Sequence, residues 1–207
     1  MLVTLGKGFI IGLFVSSPMG PINMLTIQRT LNRGRWHGFA SGMGAMLSDL
    51  IYALITMLGM NLVSDFLVKN DTFFKIIGSI ILTLFGIVVF RTNPLKEWSH
   101  KATPNDTKYF KYFISSFILT FSNIAIILVF IGLFVRFSFN PLMSGLNYII
   151  FGMIGFVSAA FLWWFLLTSL VSKLRGRFNR KGLIYLNRII GSILTLIGVG
   201  GVLVLLF

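Results

Sequence analysis

The chain has 207 residues, of which 56% are hydrophobic and 11% charged. That balance excludes an ordinary soluble domain and fits an all-α integral membrane protein. There are no cysteines, which excludes disulfides, zinc-thiolate centres and thiol chemistry, and the net charge of +13 sits mostly in short connections between apolar runs, where anionic lipid and topology explain it better than nucleic acid does.

Six apolar runs approach the roughly 17–25 residues needed for a helical span: Leu5–Gln28, His37–Leu58, Phe73–Phe90, Phe110–Phe134, Leu146–Val171 and Tyr185–Leu206. The first carries only Lys7 before its apolar core and no cleavage-like site after it, so it reads as a retained span and not a signal peptide. It is interrupted by Ser16-Ser17-Pro18-Met19-Gly20-Pro21-Ile22-Asn23. Two prolines and a glycine within four residues cannot continue a regular helix. In hydrocarbon such a break is tolerated only inside protein or beside a wet cavity. The plain alternative is a proline kink; the sharper reading is a discontinuous helix whose ends form a substrate site. Pro21 suits the first position of the restarted helix, which continues through Asn23, Thr26 and Gln28. About a dozen residues from Pro21 to Arg33, or ~18 Å at ~1.5 Å each, place the break near the bilayer midplane.

The second run holds Asp49, the only acid well inside a span. Ser41, Ala45, Ser48 or Asp49, Tyr52 and Thr56 recur at helical spacing and form one polar stripe. A carboxylate at that depth costs roughly 2.5–3.5 kcal/mol on insertion scales, so it normally faces a cavity and carries function. With no basic residue at comparable depth it is a candidate to bind and release a proton; the structural alternative is a plug on nearby broken backbone. The fourth run adds Ser116, Thr120 and Asn123 on one face, with Ser115 and Ser122 beside them. The fifth carries Gly152, Gly155 and Ala159, then Trp163-Trp164. His37 and His100 lie at or beyond the cytosolic ends, and no nucleophile–base pair, metal cluster or phosphate loop stands at depth, so enzymatic activity, cofactors and resident metals are not expected.

Fourteen of the 18 Lys and Arg residues fall in the first, third and fifth connections, Arg29, Arg33 and Arg35 among them. The odd connections are therefore assigned to the cytoplasm and both termini to the outside. Lys75-Ile76-Ile77-Gly78-Ser79 recurs as Arg188-Ile189-Ile190-Gly191-Ser192, and Gly44, Asp49 and Tyr52 have the spacing of Gly155, Ala160 and Trp163. Three spans per repeat make an inverted pair, with halves at about 1–92 and 108–207 and a cytosolic loop over 93–107. The expectation is one six-span transporter unit over 1–207, its first helix discontinuous.

Ser17-Pro18-Met19-Gly20-Pro21-Ile22-Asn23, the basic turn 29–35, the stretch Gly38–Gly44, Ser48-Asp49-Leu50-Ile51-Tyr52, Phe117–Asn123 and Leu186-Asn187-Arg188 together resemble the lysine-exporter (LysE/RhtB) family. The resemblance implies six spans, ion-gradient-driven export of amino acids or related small metabolites across a bacterial inner membrane, and homo-oligomers as an option. Two departures stand out. Met19 is inserted between Pro18 and Gly20, and Ile124 follows Asn123 where the family usually has proline. The first break is therefore expected to carry more of the site than the second. On this reading Ser17, Pro18, Gly20, Pro21 and Asn23 receive a substrate carboxylate. Asp49 takes the substrate ammonium or the coupling proton, and Tyr52, Thr120 and Asn123 supply hydrogen bonds. Gly42, Gly44 and Gly152 allow the helices to move. An inorganic-cation transporter on the same scaffold and a non-transporting membrane scaffold are the alternatives.

Overall fold

A computed structural model describes residues 1–62, 69–93, 109–173 and 180–206. The loop expected over 93–107 lies, from residue 94 onward, outside the described residues, with Pro94, Trp98, His100 and Pro104. The elements are α1 (Leu2–Ser16), α2 (Pro21–Arg33), α3 (Arg35–Leu62), α4 (Asp71–Arg91), α5 (Tyr109–Phe121), α6 (Ile126–Arg136), a 3₁₀ turn (Pro141–Ser144), α7 (Leu146–Lys173) and α8 (Arg180–Leu206). Helices α3, α4, α7 and α8 are each long and apolar enough to cross a membrane. The pairs α1–α2 and α5–α6 are each bent at a short break, by 76° and 74°, and the count reaches six when each pair is taken as one span. The protein is an all-α, multi-pass membrane protein.

The inverted repeat is visible in packing. Helix α1 runs along α7, and its counterpart α5 runs along α3. Both contacts are made through glycine, because only a missing side chain lets two helix backbones touch. Gly44 of α3 backs onto the Phe113 carbonyl and the Phe117 amide of α5; Gly155 of α7 backs onto the Leu5 carbonyl and the Phe9 amide of α1. The entrances to α3 and α7 match too. Gly34 and Gly145, each just before its long helix, have φ of +103° and +105°. Few residues but glycine reach that region without strain. The recurring segments of α4 and α8 pack on each other, antiparallel, with Gly86 against Gly191 and Thr195, and Gly198 against Ser79 and Thr83.

The match stops at the second half of each broken span. Helix α6 packs along α4, whereas α2 does not pack along α8; it lies on α3 and α7 instead. The buried apolar residues form two clusters. One gathers Ile11, Tyr52, Ala53, Leu82, Phe130, Phe134 and Phe156. The other gathers Met19, Met24, Ile27, Ala45, Ala160 and Trp164 around the first break.

One question that the sequence left open is answered and two expectations need correction. The fourth apolar run is bent as sharply as the first, without a proline. The midplane estimate assumed that the restarted helix continues the axis of α1, and a 76° bend removes that assumption. Arg29 and Arg33 belong to α2, and only Gly34 separates α2 from α3, so the first basic connection is a single residue.

Candidate functional site

The first break is buried and held by long-range hydrogen bonds. Asn23 Nδ2 donates to the carbonyls of Ser16 and Pro18, at 3.0 Å each. Its Oδ1 accepts from the Trp163 indole at 3.2 Å. The Met19 amide donates to Asn187 Oδ1 at 2.8 Å, and Asn187 Nδ2 donates to the Thr92 carbonyl at 3.2 Å. The Gly20 amide closes onto Pro18 at 2.8 Å. Pro18 and Pro21 have no N–H to satisfy. Ser17 and Asn23 are buried, while Pro21, at the first position of α2, is exposed. Asn23 thus spends both ends of its amide on the backbone and the tryptophan around it.

The second break is built differently. Residues 121–125 are exposed. The Asn123 amide donates to Thr120, and the amides of Ile126, Ile127 and Leu128 each reach back three residues. Such tight turns carry the backbone ladder through the bend without outside help. The Ser122 hydroxyl donates to the Ile118 carbonyl at 2.8 Å, a local bond that competes with the helix. The long-range tie described here is the Tyr52 hydroxyl, which donates to the Phe121 carbonyl while its ring stacks on Phe121. Ser116 and Thr120 are buried as their shared face requires, but Asn123 is exposed. The helix ends at Phe121, so the spacing that linked Asn123 to that face no longer applies.

Tyr52 and Trp163 are repeat counterparts, each 17 residues into its long helix. Each presents its polar tip to the broken span of the other half. The two breaks are not at one level. On α3, Gly42 packs against Trp164 and Ala45 joins the cluster around the first break, whereas Tyr52 ties down the second. Seven to ten residues separate these, or about 10–15 Å along the helix. The candidate residues therefore form two groups: Ser17, Pro18, Gly20, Pro21 and Asn23 in one; Tyr52, Thr120 and Asn123 in the other.

Asp49 stands between them. Its side chain is 4% exposed and its Oδ1 has no hydrogen-bond partner. Ala45, one turn below, belongs to the cluster around the first break, and Ala53, one turn above, to the other cluster. The carboxylate thus sits on the seam between the two cores. Ser48, Thr56 and Thr120 also have buried hydroxyl oxygens without partners. Among the described residues no three metal-ligating groups cluster. Gly42, Gly44 and Gly152 lie in close contact with Trp164, the α5 backbone and Phe139 respectively, which is the use that close helix packing makes of glycine.

Two participants were not anticipated. Asn187, 1% exposed, holds the first break from α8. A lone amide in an apolar span was the signal available for it. Arg29, read from the sequence as a loop residue, reaches between α2, α3 and α5. Its Nη1 donates to Ser41 Oγ and Ser116 Oγ at 2.8 Å and to the Tyr112 carbonyl at 3.0 Å. Its Nη2 donates to Ser115 Oγ at 2.8 Å. Ser41 lies two turns below Asp49 on the same helix, so a basic group does stand inside the protein, though not paired with that acid.

The family model of LysE type translocators matches residues 13–205. A curated relative from Bacillus subtilis (strain 168), described as "Putative amino acid efflux protein YcgF", is 33% identical over 129 residues. That match covers 60% of this chain and 59% of the relative's length. No solved structure gives a significant match.

Proposed function

The chain belongs to the LysE type translocator family, and from that premise we propose that it exports amino acids or closely related zwitterionic metabolites across a bacterial inner membrane, driven by a proton or other ion gradient. The observation that carries the proposal is Asp49: a carboxylate with a partnerless oxygen, enclosed on the seam between two helix-packed cores and between two broken spans. A buried acid without a partner is too costly to keep as packing alone. Inverted repeats with broken helices are the plan on which secondary transporters bind small solutes.

In this reading Asp49 meets either the substrate ammonium or the coupling proton. Tyr52, Thr120 and Asn123 lie on the side of the second break and offer hydroxyl, amide and carbonyl groups. Ser17, Pro18, Gly20, Pro21 and Asn23 line the first, where the α2 N-terminus carries no side-chain cap and can meet a carboxylate. The excess of basic residues in the odd connections supports cytosolic placement of those connections and termini outside.

The test is an efflux screen. Cells fed mixed dipeptides, with and without the protein, are assayed for every amino acid released. Accumulation of at least one amino acid outside only the expressing cells is expected, and its loss in Asp49→Asn. Equal release in both cultures, with the protein shown folded in the membrane, overturns the reading.

A further inference from the structure

Arg29 brings a positive charge into the protein with no acidic partner among the described residues. It sits level with Ser41, six residues into α3, so about 9 Å inside that helix's starting end at ~1.5 Å per residue. On the topology proposed above this is the cytosolic, loading side. Its partners among the described residues are three serine hydroxyls and one backbone carbonyl, all neutral, and its carbon lies 4.9 Å over the Tyr112 ring. A guanidinium has five N–H donors in a planar fork. Both hydrogens of Nη1 are taken by Ser41, Ser116 and Tyr112, and one of Nη2 by Ser115. Nε is buried and has no acceptor.

What remains is Nε–H and the second hydrogen of Nη2. Nε and Nη2 form the edge of the guanidinium that binds a carboxylate side-on with two parallel hydrogen bonds. The serines also hold the fork in place. Ser41 and Ser115 pass their own hydrogens to the carbonyls of His37 and Tyr112, at 3.0 and 3.1 Å, leaving their lone pairs to the arginine. The arginine is thereby oriented without being neutralised. A cation kept among neutral groups at this depth is costly until an anion arrives.

We propose that Arg29, set by Ser41, Ser115 and Ser116, receives the carboxylate of the solute on the loading side, before the solute reaches Asp49. The inference rests on the export reading for the identity of the solute, not for the existence of the anion site. Arg29 is half-buried, and because Nε is shut off from solvent its unpaired edge opens only when α2 shifts on α3.

The experiment separates the two. The purified protein in neutral detergent is titrated with leucine, serine and lysine as free acids, as their methyl esters and as the matching decarboxylated amines, and with phosphatidylglycerol. Melting temperature is followed for the wild type, Arg29→Gln, Arg29→Lys and Ser115→Ala. At least one free acid is expected to raise the melting temperature while its ester and amine do not. Arg29→Gln loses the shift. Arg29→Lys keeps the charge but not the fork and weakens apparent affinity about tenfold, and Ser115→Ala weakens it by less. If Arg29→Gln does not fold, the Lys and Ala variants decide. Equal shifts for acid and ester, an undiminished shift in the Arg29 variants, or protection by phosphatidylglycerol alone overturns the site. If the cells release no amino acid yet the acid-specific shift is present and needs Arg29, the site stands and the export reading fails.

Discussion

The two broken spans reach the same bend by opposite means. The first turns through 76° at a proline-glycine-proline sequence, is buried, and is stitched to three other helices or helix ends by Asn23, Asn187 and Trp163. The second turns through 74° without a proline, is exposed, and keeps its backbone paired by local tight turns, with Tyr52 as its long-range tie. The half-helices beyond the breaks differ in the same sense: α6 lies on α4, while α2 lies on α3 and leaves α8. A bend is thus not the property that distinguishes the halves. What distinguishes them is whether the bend is held from outside. The first is fixed by several side chains that must release for α2 to move; the second has one long-range bond at stake among the described residues.

The largest expected effect is on transport and comes from the group between the breaks. Asp49→Asn keeps the shape and a hydrogen-bonding side chain, so the melting temperature should stay close to wild type or rise. Export should fall by more than about tenfold, because the charge that meets the solute or proton is gone. Near-normal efflux by a folded Asp49→Asn protein would leave Asp49 as packing.

Next in size is the contrast between the two asparagines. Asn23→Ala removes two bonds to buried carbonyls and leaves the Trp163 indole without its acceptor. Each buried group left unpaired costs about 1–3 kcal/mol, so unfolding in mixed detergent should shift by several kcal/mol. Asn123→Ala, at an exposed position, should shift it by about 0.5 kcal/mol or less. Similar losses at both would mean that the second break is held as tightly as the first. Tyr52→Phe is smaller, at about 1 kcal/mol, because the ring still stacks on Phe121 and only the bond to its carbonyl is lost. Trp163→Phe should match it within a factor of two if the counterparts carry equal weight.

Most of the fold was legible because hydrophobic length and helix-breaking residues act locally along the chain. The six runs, the break at Pro18–Pro21, Pro21 as the first residue of α2, the polar stripe on α3 and the pairing of Gly44 with Gly155 all follow from local pattern. The second break was not legible. Its turn is made by Ser122 and Asn123, whose effect depends on where the chain is allowed to bend, and no residue there forbids a helix. Arg29 was misplaced for a related reason. Basic residues near a span end count as loop until a bend shows that the span has turned inward. The role of Asn23 was legible as polar and at the break, but its partners Ser16, Pro18 and Trp163 are fixed only by the three-dimensional register of α1 on α7. Asn187 needed the register of α8 on α4, which brings it to Thr92 and the first break.

A small effect is also expected from Ile124→Pro, and it tests the comparison most directly. A proline inside a helix costs about 3 kcal/mol, from a lost hydrogen bond and a clash with the preceding turn. At Ile124 neither applies with full force. Its amide is not among the donors that carry the chain through the bend, where Asn123, Ile126, Ile127 and Leu128 do that work. Its side chain is 69% exposed, so the ring has room. The preceding residue, Asn123, is already outside the helix, which is where a residue before proline is driven. The substitution should therefore change stability by less than about 1 kcal/mol, and its reduced unfolded-state freedom offsets part of any loss. Ile118→Pro, an exposed position within α5, serves as the control and should cost the full amount. If Ile124→Pro is as damaging as Ile118→Pro, the chain at 122–125 needs a helical alternative, and the second break is a hinge that straightens during the transport cycle. If it is tolerated and export continues, the second span stays bent throughout, and any movement between states falls to α2 and the bonds that Asn23 and Asn187 make.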